Sequence, residues 1–585
     1  MTSAKAAGHG PVAARARAAS AQAPGVAAGG AWLLALPVAA FIVVFLAWPV
    51  ATVLYTALAD GQGGFTLGHV GAFLSLSLMR EAFFNSLAVA LGSVALAALI
   101  AVPLAYLTVR FEFRGAALVQ TLGVLPLVMP PFVGAVAMQL LFGRNGSVNL
   151  LLSDTFGIRI PFMDGLNGVI FVEGLHYFPF ILLNLVASLR NIDGAMEEAA
   201  QNLGSHGFRL FRRVVFPLAA PGFVAGAALV FVKVFDDLGT PLVLNVTNML
   251  APQAYLRITS VGLEDPIGYV IALVMVVFSI GALALSAQIT RGRDYATLTR
   301  GATALRKRPL AGWNAVLAYG WVLAVLALVL SPHLGILLLS LSKVWSYSVL
   351  PEGYTLQHYA VVLTDSSRMI GNTMLYCTLA AGIDVVLGTA IAYLLLRTRL
   401  PGRQWLDWGA SAALAIPGIV LAIGFLRAFR GIALPFGWGA LTASWVAIML
   451  AYAVRRLPYA VRACVAALQQ VHLSLEEAAQ SLGANRRRTA RRIVIPLMMG
   501  GILAGFVTSF ITAAVELSAT ILLVTSESQA PLSYGIYLYN QSIATRGPAA
   551  ALGVIAVVIV ALGTYLSHRL LEARAGGAKI AVDTE

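Results

Sequence analysis

The sequence has little charge and almost no cysteine. Asp, Glu, Lys and Arg make up 11% of its 585 residues, and hydrophobic residues make up 59%. Soluble globular chains carry about 25% and about 45–50%, respectively. A soluble protein this apolar could not cover its own core, so the composition identifies an integral membrane protein. It excludes a soluble enzyme, a disordered tail protein and, despite a net charge of +14, a nucleic-acid binder. The two cysteines, Cys377 and Cys464, exclude a disulfide scaffold and a cysteine metal cluster. Both lie in or beside apolar stretches and read as packing residues. GxxxxGK[ST] is missing, which excludes ATP hydrolysis by a P-loop. No HExxH, paired histidines or nucleophile constellation points to a membrane enzyme, so no catalytic residue, cofactor or metal ligand is expected.

What is present in quantity is apolar length. A helix needs about 20 apolar residues to cross the hydrocarbon core. Twelve stretches qualify, at about 31–57, 85–109, 117–142, 167–189, 217–244, 268–289, 313–341, 372–396, 405–426, 439–460, 496–523 and 549–571. They show no period-2 alternation, so the expected fold is all-α rather than a β-barrel. The first stretch is too long for the core of a cleaved signal peptide and reads as a retained span. Residues 1–30, rich in Ala and Gly, and residues 572–585 read as cytoplasmic tails, the first of them disordered.

Orientation follows from the distribution of bases. With both termini in the cytoplasm, the cytoplasmic segments hold 29 Lys and Arg and the outer loops 9. After the acids are subtracted the cytoplasmic face carries +18 and the outer face 0. The basic character reports membrane orientation.

The chain also repeats itself. Residues 197–218 read EEAAQNLGSHGFRLFRRVVFPL and residues 476–497 read EEAAQSLGANRRRTARRIVIPL, with 13 of 22 positions identical at an offset of 279. Both copies fall in cytoplasmic loops, 190–216 and 461–495, after the fourth span of each half. This makes a parallel repeat of two six-span units, 31–289 and 313–571, joined by the basic linker 290–312. Lipid-facing residues need only be apolar, whereas a loop fitted to a protein surface keeps its residue types. Ser474 reads as a helix cap with Glu477 three residues on, and acids fill the first turn. Gly204 and Gly483 permit a sharp turn. A second short basic helix is expected along the surface, with Pro217 and Pro496 marking entry into the next span.

These residues resemble a known signature: Glu-Ala-Ala, a Gly four residues on, then a Pro before a span. It is the EAA loop of ABC importer permeases, the inner-membrane subunits of binding-protein-dependent uptake systems. The resemblance covers nearly the whole chain as two six-helix type I permease units. It is strongest to the fused permeases of ferric iron, thiamine and 2-aminoethylphosphonate importers. It implies a bacterial cytoplasmic membrane location, two copies of a separate ATPase subunit and an extracytoplasmic solute-binding protein. By match to the motif, Glu197, Glu198, Ala199, Ala200 and Gly204, and Glu476, Glu477, Ala478, Ala479 and Gly483, are expected to couple the two loops to the ATPases. Glu197 and Glu476 are expected to face them.

Within the spans stand five acids, Glu173, Asp236, Asp237, Asp384 and Glu516, and Lys233. Charge at membrane depth is costly and points to function. The repeat offset aligns Asp237 with Glu516 on the two fifth spans, about 30 Å of helix past Pro217, which suggests the outer end. Lys233, one turn before Asp237, is expected to pair with it. The aligned acids read either as interfacial residues or as the outer mouth of a pathway. Pro131, beside Pro130, and Pro417 should kink the third spans, for gating or for packing. His176 and Tyr177 read as packed core, Glu173 and Asp384 receive no role, and Trp345, Tyr347 and Tyr354 read as an interfacial belt. An ion-coupled secondary transporter is the competing class, although it gives no reason to duplicate a docking loop. The neutral outer face does not announce the solute. On resemblance ferric iron comes first, then thiamine and 2-aminoethylphosphonate.

Overall fold

A computed structural model describes residues 28–291, 307–437 and 439–582. All but the last three residues of the expected tail 1–30 lie outside the described residues, as do Arg293, Arg300 and Arg306 of the linker. The first half forms α1 (Gly30–Leu58), α2 (Ser77–Arg110), a pair α3 (Ala116–Val128) and α4 (Pro131–Phe156) bent by 102°, and α5 (Leu166–Arg190). It continues as a short α6 (Gly194–Asn202), the long α7 (Gly207–Asp236), α8 (Gly239–Val243), α9 (Leu250–Ser260) and α10 (Pro266–Thr290). The second half forms α11 (Gly312–Leu341), α12 (Ser367–Arg397), α13 (Arg403–Ala412), α14 (Gly418–Ala428) and α15 (Trp445–Gln470). Then come α16 (Leu473–Ser481), α17 (Arg486–Ala514), α18 (Thr520–Leu523), α19 (Leu532–Asn540) and α20 (Ile543–Tyr565), whose helix continues to Val582. The fold is an all-α multi-pass membrane protein. Among the described residues the two strands are β1 (Phe111–Glu112) and β2 (Arg308–Pro309), which pair in parallel.

Among the described residues nine helices are long and apolar enough to cross a membrane, and the α3–α4 pair makes ten. The two other expected passes fall short for separate reasons. The pass expected at 405–426 is split into α13 and α14 ahead of Gly418, and that at 117–142 is likewise split into α3 and α4 ahead of Pro131. The pass expected at 439–460 is α15, displaced to 445–470, and it carries Arg455, Arg456 and Arg462. The fifth passes end as helices at Asp236 and Ala514, earlier than the apolar runs to 244 and 523 suggest.

The repeat holds element by element, since α5, α6 and α7 begin 279 residues before α15, α16 and α17. Close approach of the fourth and fifth passes rests on matched glycines. Gly222 and Gly226 of α7 lie against Ser188 and Ile181 of α5, and Gly501 and Gly505 of α17 lie against Ala463 and Ala460 of α15. Small residues at this spacing let backbones meet without water to drive them together. Each first pass also packs on the third pass of the other half, α1 on α14 and α11 on α4, so the halves interlock.

No separate surface helix follows the duplicated loops. The basic segments run into the fifth passes through π-helical turns at Phe211–Val215 and Ala490–Val494, each ending two residues before Pro217 or Pro496. A similar turn, Val43–Ala47, precedes Pro49 in α1. Proline lacks an N–H and crowds the carbonyl four residues back. A widened turn accommodates it without breaking the helix.

Candidate functional site

The duplicated loops share one geometry. In the first, Asp193 caps α6 by accepting from the Ala195 N–H at 3.0 Å. In the second, Ser474 lies inside the first turn of α16 and His472 stands at the N-cap with no side-chain bond, so the expected Ser474 cap is not formed. Both helices end with Gly204 and Gly483 at φ +83°. The Ser205 N–H reaches the Ala200 carbonyl at 2.9 Å, and the Ala484 N–H reaches the Ala479 carbonyl at 3.0 Å. These bonds close the left-handed terminus that glycine permits without a Cβ penalty.

Glu197 and Glu476 do not face outward as expected. Both are buried and paired with an arginine at the end of their own half's second pass, Glu197 with Arg110 and Glu476 with Arg397, whose Nε lies 2.6 Å from Oε1. Burial pushes the Glu197 carboxyl's pKa up, and Arg110 opposes the shift. The first glutamate of each motif thus ties the loop to its own helix bundle. The exposed groups are Glu198, Ala199, Glu477 and Ala478, while Ala200 is half-buried and Ala479 buried. Leu203 and Leu482 stand at matched positions before the turns, each 89% exposed. Their exposure at the same place in both copies is a second feature that the duplication keeps.

The second site lies inside the bundle. Arg455 of α15 holds Asp236 through Nη2 at 2.6 Å and Glu516 through Nη1 at 2.5 Å, and Arg456 pairs with Glu516 as well. All four side chains are buried. Asp236 also accepts the Gly418 N–H at 2.7 Å, where α14 begins after Pro417. The break of the third pass thus frees a backbone donor for an acid of the other half. A side chain at 418 would collide with the Arg455 guanidinium. Glu516 accepts from the Ala519 N–H, just ahead of α18, at 3.2 Å, and Asp237 accepts from the Thr240 N–H at 2.8 Å. The acids therefore stand where the fifth-pass helices stop.

The remaining intramembrane charges join the same cluster. Buried Glu173 of α5 lies against Asp237. Buried Asp384 of α12 lies by Ser509 and in the field of Arg456. Lys233 does not pair with Asp237 as expected but stands near Tyr459, Asp236 and Glu516. Five acids and three bases converge, a formal excess of two acids. Asp237 and Glu516 are not at an outer mouth. Arg455 is ten residues, about 15 Å, from the start of α15 and fifteen, about 22 Å, from its end.

The arginines are the residues that sequence reasoning missed. The charge count groups them with the following loop although they lie inside the expected span 439–460. The repeat offset carried the signal, as it aligns Arg455 and Arg456 with His176 and Tyr177. His176 sits with Pro131 and His333 around a small cavity at the matching break of the first half. Among the described residues no three His, Cys, Asp or Glu side chains are placed to hold a metal ion, and Asp236, Asp237 and Glu516 are engaged by guanidinium groups or backbone N–H groups. On the face opposite the duplicated loops, buried Trp345 and exposed Tyr347 line a cavity of about 500 Å³ with Arg144, Lys343 and Arg546, rather than forming a lipid belt.

The sequence profile of the binding-protein-dependent transport system inner membrane component matches residues 93–295 and 384–577. The chain belongs to this family. It is similar to the ferric transport system permease protein FbpB of Actinobacillus pleuropneumoniae, with 27% identity over 90% of this chain and 76% of that one. A putative ferric transport permease of Haemophilus influenzae gives 27% identity over 84% and 77%. The putative 2-aminoethylphosphonate transport permease PhnU of Salmonella typhimurium gives 27% over 43% of this chain and 90% of that one. The two profile matches make the chain a fused, two-unit permease of a binding-protein-dependent importer. Each match contains one duplicated loop and the fifth-pass acids of the central cluster, Asp236 and Asp237 in the first and Glu516 in the second.

Proposed function

We propose that this permease carries ferric iron into the cytoplasm by alternating access, driven by two copies of a separate ATPase subunit and supplied by an extracytoplasmic solute-binding protein. The observation that carries the reading is the extent of similarity. Ferric permeases match both units together over 84–90% of the chain, whereas the aminoethylphosphonate permease matches 43% of it.

In this reading the duplicated loops and both termini are cytoplasmic, in agreement with the distribution of bases. Leu203 and Leu482, with Glu198, Ala199, Glu477 and Ala478, contact the ATPases. Gly204 and Gly483 shape the turns. Glu197 and Glu476, with Ala200 and Ala479, transmit the movement inward through Arg110 and Arg397. Asp237, Glu516, Pro131 and Pro417 line or hinge the pathway, with Arg455 bridging the fifth passes of the two halves.

The test is uptake of labelled ferric iron, 2-aminoethylphosphonate and thiamine by proteoliposomes holding the permease and its cognate ATPase and binding protein. ATP-dependent uptake of iron alone is expected. Uptake of either organic solute in place of iron refutes the cargo, and uptake without the ATPase refutes the coupling. Native mass of the complex should show one permease chain with two ATPase subunits.

A further inference from the structure

The first coupling loop has a neighbour that the second does not share among the described residues. After Arg110 the chain extends as β1, and β2 from the linker between the halves pairs with it. The Leu310 N–H donates to the Glu112 carbonyl at 3.2 Å, which fixes the linker against the first half. Exposed Lys307 and Arg308 thereby line a cleft of about 350 Å³, together with Tyr106, Arg110, Glu197 and Glu198.

The matched arginines differ in how fully they are used. Arg397 donates to Glu476 and through Nη2 to the carbonyls of Val471 at 2.7 Å and Leu468 at 3.4 Å. Arg110, more deeply buried, has its ion pair to Glu197, but among the described residues its Nε and Nη1 have no hydrogen-bond partner. A buried guanidinium left in this way keeps donors for a carboxylate, the acceptor its fork fits best. Of the acids lining the cleft, Glu197 is taken by Arg110, which leaves the balance positive.

We propose that the linker completes the first ATPase-docking site, with Lys307, Arg308 and Arg110 receiving an acidic segment of the ATPase subunit. Two identical ATPases then bind the one chain through unequal surfaces. The proposal rests on the reading of the duplicated loops as ATPase contacts.

The experiment measures binding of the cognate ATPase to the full-length permease in nanodiscs, in two backgrounds. With Leu482→Asp disabling the second loop, Lys307→Glu/Arg308→Glu should weaken binding about tenfold at low salt, and the difference should shrink at high salt. With Leu203→Asp disabling the first loop, the same reversal should change nothing. Lys307→Gln/Arg308→Gln should give a smaller loss in the first background. If Leu203→Asp and Leu482→Asp each weaken binding while the linker reversal has no effect in either background, the linker proposal is overturned and the loop reading stands. If neither leucine variant weakens binding, the loop reading fails and the linker proposal with it.

Discussion

Arg455 offers the sharpest perturbation. Its guanidinium bridges Asp236 of the first half and Glu516 of the second, both buried. Arg455→Met keeps the length of the side chain and removes the charge. Glu516 retains Arg456, whereas Asp236 keeps the Gly418 N–H and only the more distant charge of Lys233. Breaking a buried pair from one side costs about 3–5 kcal/mol, mostly because an uncompensated charge stays behind. Asp236→Asn removes that charge, so adding it to Arg455→Met should recover at least half of the loss. The assay is reversible unfolding of the purified permease in bicelles, arranged as a double-mutant cycle. A coupling energy above about 1 kcal/mol is expected for groups in direct contact. If the two single losses simply add, or Arg455→Met costs less than about 1 kcal/mol, the bridge does not hold the halves together.

Three further outcomes follow from the geometry. Glu476→Gln should destabilise the folded permease by about 1–3 kcal/mol, whereas Glu477→Lys should leave stability unchanged and reduce ATP-driven uptake; reversed effects would mean that the loop faces the other way. Gly418→Ala should cost about 1–3 kcal/mol by crowding Arg455 against Glu516, seen as a lower unfolding midpoint, while Gly71→Ala, with open space around it, should cost nothing comparable. Glu264 accepts from Arg430 at 2.5 Å and Arg427 at 2.9 Å across the two halves, and these bonds hold its carboxyl pKa below the ordinary 4.5. A depressed pKa means the clamp is present above the ordinary value and lost only as pH falls through the lower one. Spin labels at positions 261 and 432 should therefore keep their separation from pH 7 to 4.5 and part below it; parting at or above 4.5 contradicts the sign.

Much of this molecule could be read from residue order because membrane passes announce themselves by apolar length. The loops were legible for a different reason, since duplication preserved Glu, Ala, Gly and Pro at one offset. What the sequence hid was direction. Nothing local tells that Glu197 turns inward to Arg110, because the partner lies 87 residues away on another helix. Asp236, and not Asp237, bridges the halves because the helix stops at 236 and the next residue turns to cap Thr240. Arg455 and Arg456 were misplaced by the same rule that found the passes. Two arginines depress apolarity, and only the partners waiting in three other passes make their depth tolerable.

The interlocked halves are not equal in length. From Arg110 to Leu166 the first half uses eight residues more than the second uses from Arg397 to Trp445. The surplus includes the Gly143–Gly146 rim of the 500 Å³ cavity on the face opposite the duplicated loops. Any partner that docked there would therefore meet a surface with a head and a tail. Two separate identical permease chains would accept it in either of two rotations of equal energy. This face distinguishes them, because its two halves differ in length.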